Sequence, residues 1–122
     1  MKPMHIYDEL FRKNFYISYG VPAADLQKAV KTYIGNEWEA DIKINEQSKC
    51  MLFDLNKTKG AEVIWLWTKE RKPWILCHEI IHACFYCFGE DRVRLDENSQ
   101  ELYAYYAEML MRKILKKGGD QK

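Results

Sequence analysis

The segment Trp74-Ile75-Leu76-Cys77-His78-Glu79-Ile80-Ile81-His82-Ala83-Cys84-Phe85-Tyr86-Cys87-Phe88 constrains this chain more than any other. Pro73 suits the first turn of a helix and Gly89 its end. Between them nearly every position is apolar, which predicts a helix buried on almost all sides. Its middle nevertheless holds two histidines and a glutamate. A buried, unpaired carboxylate is costly, so a glutamate in that place needs a partner or a task.

The spacing supplies the task. His78 and His82 stand at i and i+4, on one face of a helix. Two imidazoles so placed can reach one Zn²⁺ at about 2.0–2.1 Å each. Glu79 follows the first histidine directly. In an H-E-x-x-H arrangement that carboxylate addresses the attacking water and not the metal. The bland alternative is a pair of core histidines hydrogen-bonded to their neighbours. The buried helical setting, the preceding strand and the small Ala83 beside His82 favour the metal.

A catalytic zinc usually takes three protein ligands. A metzincin would carry another histidine six residues past His82, and Phe88 stands there instead. The remaining histidine, His5, is remote in sequence. The acidic candidates are Glu90, Asp91, Asp96, Glu97, Glu101 and Glu108. Glu101 is favoured because it falls in the first turn of the next expected helix, with Ala104 allowing close approach. Two other roles compete for it. Asn98-Ser99-Gln100-Glu101 reads as a capping box, and Glu101, Glu108 and Arg112 share one polar line that suits a solvated surface.

The rest of the chain reads as α+β. Asn14 to Tyr19 is expected to be a strand and Ala23 to Ile34 a helix stopped by Gly35 and Asn36. Strands are expected at Trp38 to Ile44, Cys50 to Leu55 and Ala61 to Trp67, with turns at Asn45 to Lys49 and Asn56 to Gly60. A meander is the simplest arrangement. A polar loop, Glu90 to Glu97, leads to a last helix from about Asn98 to Lys117, whose basic end suits a helix C-terminus. No linker or repeat divides residues 1–122, so one domain is expected.

Formal net charge is +1, which gives no global attraction to nucleic acid or to a membrane surface. The basic stretch from Arg112 onward is read as a solvated helix end. No apolar run approaches the ~20 residues of a membrane span, and Met1 to His5 lacks the apolar core of a signal peptide. A cytoplasmic protein is therefore expected. In that reducing setting Cys50, Cys77, Cys84 and Cys87 are expected as free thiols. The Cys84-x-x-Cys87 pair is read as buried apolar side chains in preference to a redox or zinc motif.

His78-Glu79-Ile80-Ile81-His82-Ala83, followed after a short loop by Asn98-Ser99-Gln100-Glu101-Leu102-Tyr103-Ala104-Tyr105, resembles a minimal gluzincin. More narrowly it resembles the small zinc-peptidase-like proteins of bacteriophages and prophages. The match covers about Trp74 to Leu115, with a weaker likeness over Ile6 to Tyr19. The resemblance implies a zincin-like fold: a small twisted sheet packed on the active helix and on a following glutamate-bearing helix. It implies Zn²⁺ held by His78, His82 and Glu101, with Glu79 as general base. Many large gluzincins carry an aspartate where Tyr105 stands here. The Tyr105 phenol is then a candidate to steady a ligand or the oxyanion, against a simple packing role. The function expected is a zinc-dependent peptidase acting on a peptide or protein, held along a strand edge near the active helix. The alternative is a non-catalytic binding module with a structural or vestigial zinc, contacting a host or virion partner.

Overall fold

A computed structural model describes residues 2–55, 61–90 and 96–117. The expected turn at Asn56 to Gly60, the loop acid Asp91 and the end of the basic tail lie outside these residues. The elements run β1 (Met4–Asp8), β2 (Lys13–Tyr19), α1 (Ala23–Tyr33), β3 (Ser48–Leu55), β4 (Ala61–Thr68), α2 (Pro73–Glu90) and α3 (Gln100–Lys117). The architecture is α+β, with a four-stranded sheet in the order β1-β2-β4-β3.

The sheet is not a meander. β1 and β3 lie antiparallel at the edges, while β2 and β4 pair in parallel at the centre, with Phe15 opposite Ile64 and Ile17 opposite Leu66. A parallel pair needs a crossover, and α1 with β3 supplies it. The sequence of β4 explains its central place. Val63, Ile64, Trp65, Leu66 and Trp67 are all buried, as a strand covered on both faces requires. Val63, Trp65 and Trp67 face α1, in a core shared with Leu26, Val30, Met51 and Phe53. Ile64 and Leu66 face α2 and α3, with Phe15, Ile17, Leu76, Ile80, Leu110 and Ile114. The indole N–H groups of the two buried tryptophans on the α1 side are satisfied. Trp65 Nε1 donates to Ser18 Oγ at 3.0 Å and Trp67 Nε1 to the Val21 carbonyl at 2.7 Å.

One expected strand is absent and one unexpected strand is present, each for an identifiable reason. Trp38 to Ile44 is not a strand. Its alternation is real, since Trp38, Ala40 and Ile42 all pack on the α1-side core. Its backbone partner, however, is a side chain. Gln27 of α1 accepts from the Ala40 N–H at 2.8 Å and donates to the Ala40 carbonyl at 2.6 Å. Conversely, β1 was not anticipated. It buries only Ile6 and Asp8, and a tight loop holds it to β2, with the Phe11 N–H donating to Asp8 Oδ2 at 2.9 Å.

Helix ends also differ. α2 continues through Gly89 to Glu90. Gly89 lacks the positive φ of a helix-terminating glycine; among described glycines that φ occurs at Gly20 and Gly35. Gly20 needs it. With φ at 74° it lets its N–H reach the Thr68 carbonyl, and a Cβ there would stand 3.0 Å from Arg71 Cβ. The expected capping box of Asn98 and Glu101 is replaced by one two residues earlier. Asp96 Oδ1 accepts from the N–H groups of Asn98 and Ser99, at 2.8 and 3.0 Å, and Ser99 Oγ accepts from the Asp96 N–H at 3.1 Å. The Asp96 carbonyl takes the Gln100 N–H, as an N-cap carbonyl does. Among the described residues no helix is long and apolar enough to cross a membrane.

Candidate metal centre

α2 is buried on one face, not all round. Leu76, Ile80, Ala83, Cys84, Cys87 and Phe88 face the sheet and α3 and are almost wholly enclosed. Trp74, Cys77, His78, Ile81, His82, Phe85 and Tyr86 remain exposed. The sheet covers one side of the helix and α3 part of another, which leaves this third face only partly covered, with Tyr103 of α3 against Phe85 at one margin and the head of β3 at the other. The two histidines therefore point outward, while Glu79, at the margin, is 4% exposed.

His78, Glu79 and His82 offer one donor atom each within 4.8 Å of one another. The two imidazole centroids are 5.0 Å apart and inclined at 73°. Two imidazole nitrogens and a carboxylate oxygen make a donor set that suits zinc and other divalent transition metals. His78 Nε2 lies 4.0 Å from Glu79 Oε2. That same Oε2 accepts a hydrogen bond from Ser48 Oγ.

The cluster opens onto a cavity of about 280 Å³ between α2 and β3, lined also by Glu46, Ser48, Lys49, Cys50 and Tyr86. Among the described residues β3 is an edge strand paired with β4, and its first residues, Ser48 to Cys50, line the cavity with the histidines. Side chains alternate along it, and Ser48 and Cys50 fall on the α2 side. Glu46 is held at the start of this strand. Its Oε1 accepts from the Lys43 N–H at 2.7 Å and pairs with Lys49 Nζ at 3.7 Å.

Burial sets the cysteine chemistry. It raises the Cys50 thiol far above its ordinary value, with the Glu79 charge adding to the effect. Cys84 and Cys87 are pushed up to about 12, again chiefly by burial. All four cysteines are free, and Cys50, Cys84 and Cys87 are buried. Such thiols stay protonated near neutral pH and are poor nucleophiles and ligands, which fits the apolar reading of Cys84-x-x-Cys87.

Of the expected site residues, the fold brings together His78, Glu79 and His82. Glu101 is exposed in the first turn of α3 and is not a member of the cluster. The same turn of α3 does reach α2 close to the cluster. Tyr103, two residues on, packs against Phe85, one turn past His82, at 5.6 Å between ring centroids. Since Asp96 and Ser99 form the cap, Glu101 is not the capping-box partner. Tyr105 is 66% exposed and does not line the cavity. Glu108 and Arg112 form the expected i,i+4 pair at 2.6 Å, and His5 is bound to Asn14 on the β1–β2 hairpin.

The sequence analysis placed none of the five other lining residues at the site, and three of them show why. Tyr86 carried a usable pattern, standing one further turn along from His78 and His82. Ser48 and Glu46 carried none, because both arrive through the pairing of β3 with β4. Comparison with protein-family models, with curated proteins and with solved structures returns no match for this chain.

Proposed function

We propose that this chain is a zinc-dependent metallohydrolase, a peptidase of gluzincin type with a zincin-like fold. One observation carries the reading: two outward-facing imidazoles and a buried carboxylate converge within 4.8 Å beside the head of the edge strand β3. A structural zinc would be enclosed by four ligands; a centre at the mouth of a cavity leaves room for water and substrate. His78 and His82 would hold the metal, and Glu101 would supply the third ligand from the turn of α3 that packs just beyond His82. When bound, zinc supplies Lewis acidity and a water that is nucleophilic near neutral pH.

The chain's own residues do the rest. Glu79 accepts the proton of the attacking water and returns it to the leaving amine. The unpaired backbone groups of β3 bind an extended peptide by strand addition, which lays its scissile bond across the face of α2. The Tyr86 phenol lines the cavity, and burial raises its pKa, with Cys50 and Glu79 adding. It is therefore a protonated donor for the oxyanion. Tyr105, the tyrosine first considered, stands outside the lining.

The test pairs metal analysis with cleavage of a mixed-sequence peptide library. Wild type should retain one zinc through dialysis, and His82→Ala should lose it. Glu79→Gln should keep zinc and fold while cleavage falls by about 10²–10⁴. A wild-type protein that holds no metal, or a Glu79→Gln variant that cuts at the normal rate, would end this reading.

A further inference from the structure

We propose that Ser48 is a positioning residue that keeps the Glu79 carboxylate off the metal. This rests on the metallohydrolase reading, and it concerns a question that reading leaves open. Glu79 sits within ligand range of both histidines, so a bound cation would attract it as a third ligand. A glutamate drawn onto the metal can no longer accept a proton from water. Something must therefore hold it aside.

The geometry points to Ser48. Two ligands at about 2.0–2.1 Å in a tetrahedral site are roughly 3.3 Å apart. His78 Nε2 and Glu79 Oε2 stand 4.0 Å apart, just outside that spacing, and a small swing of Glu79 would close it. Oε2 is also the oxygen that receives the Ser48 hydroxyl. Ser48 is the first residue of β3 and is paired with Thr68 of β4. The backbone that carries the hydroxyl is thus fixed by the sheet, not by α2. On this proposal the Ser48 hydroxyl competes with the metal for Oε2, the glutamate oxygen that lies nearer His78 Nε2. A bond from a rigid neighbour to a buried carboxylate has the strength of a charge-assisted contact.

The test uses cobalt(II) as the probe, titrated into the full chain, with affinity and the visible absorption of the bound ion as readouts. Ser48→Thr keeps a hydroxyl and Ser48→Val removes it at almost the same shape; both suit an edge strand. Wild type and Ser48→Thr should share affinity and spectrum. Ser48→Val should bind cobalt more tightly, with a shifted spectrum reporting a carboxylate newly in the coordination sphere. Adding Glu79→Gln to Ser48→Val should abolish both changes. Cleavage of the peptide library should fall about 10–100-fold in Ser48→Val through kcat, with KM unchanged. A merely structural role would weaken metal binding or leave it alone, so Ser48→Val with wild-type or weaker cobalt affinity overturns the proposal. Failure of wild type to bind cobalt would instead remove the metallohydrolase reading itself.

Discussion

β4 and α2 are the two most apolar stretches of the chain, and the fold treats them differently. β4 has α1 against one face and α2 with α3 against the other, and all five residues from Val63 to Trp67 are at most 4% exposed. α2 has a covered face and an open one. Ile81 is 44% exposed and Phe85 46%. A strand has two faces, and two layers suffice to cover them. A helix presents a full cylinder, and a sheet plus one neighbouring helix cannot enclose it. The uncovered arc is where His78 and His82 emerge. The excess of apolar residues on α2 is thus not all core; part of it borders the His78–Glu79–His82 cluster and the head of β3.

The largest effect should separate these two segments directly. Trp65→Ala removes a wholly buried indole that packs on Phe53 and Tyr16 and leaves Ser18 without its donor. Urea denaturation should show a loss of about 3–5 kcal/mol. Ile81→Ala, on the open arc, should cost less than about 1 kcal/mol. Equal losses would mean that the outer face of α2 is covered after all.

A second comparison sets Glu101 against Glu46. Both carboxylates are candidates to complete the centre, one by sequence and one by its place in the cavity. Glu46 is already engaged by Lys43 and Lys49, whereas Glu101 is exposed and relieved of capping. Glu101→Gln should therefore weaken zinc binding about 10–100-fold, on the scale of a lost supporting residue or more, with the metal-free melting temperature unchanged. Glu46→Gln should leave affinity near wild type. The reverse result in a competitive chelator titration would move the third ligand to the head of β3.

What the sequence disclosed follows from range. His78, Glu79 and His82 lie within two turns of one helix, so their spacing alone places them together. β2, β3 and β4 were visible as apolar runs, but their order was not. Parallel pairing of β2 with β4 depends on which strands are covered twice, and partial alternation in β4 hints at this without fixing a partner. Trp38 to Ile44 showed the alternation of a strand because it packs like one; that Gln27 would satisfy its backbone is a tertiary fact. Ser48, placed by its residue type in a turn, becomes a site residue only through its register opposite Thr68.

Smaller effects should distinguish Tyr86 from Tyr105. Tyr86 lines the cavity and Tyr105 does not. If the phenol of Tyr86 donates to the oxyanion, Tyr86→Phe should lower kcat by about tenfold or more, toward the range seen for a lost oxyanion donor. Tyr105→Phe should leave kcat unchanged. A loss confined to Tyr105→Phe would restore the assignment suggested by the sequence.

The smallest effect concerns the entry to α3, which sets where Glu101 stands. The sequence offers Asn98 as the cap, whereas the fold uses Asp96. Asp96 receives two backbone N–H groups, and Ser99 closes the box from the other side. Asp96→Ala removes the acceptor for both and a negative charge from the positive end of the helix. It should cost about 0.5–2 kcal/mol by thermal or urea unfolding. Asn98→Ala should cost almost nothing, since Asn98 contributes its backbone N–H to the cap and alanine keeps that group. The pair also bears on the metal. If α3 carries a ligand, fraying its first turn loosens that ligand, so Asp96→Ala should weaken zinc binding slightly, and Asn98→Ala should not. A stability loss in Asp96→Ala with unchanged zinc affinity would separate the α3 terminus from the centre and leave the two histidines of α2 to be completed from β3.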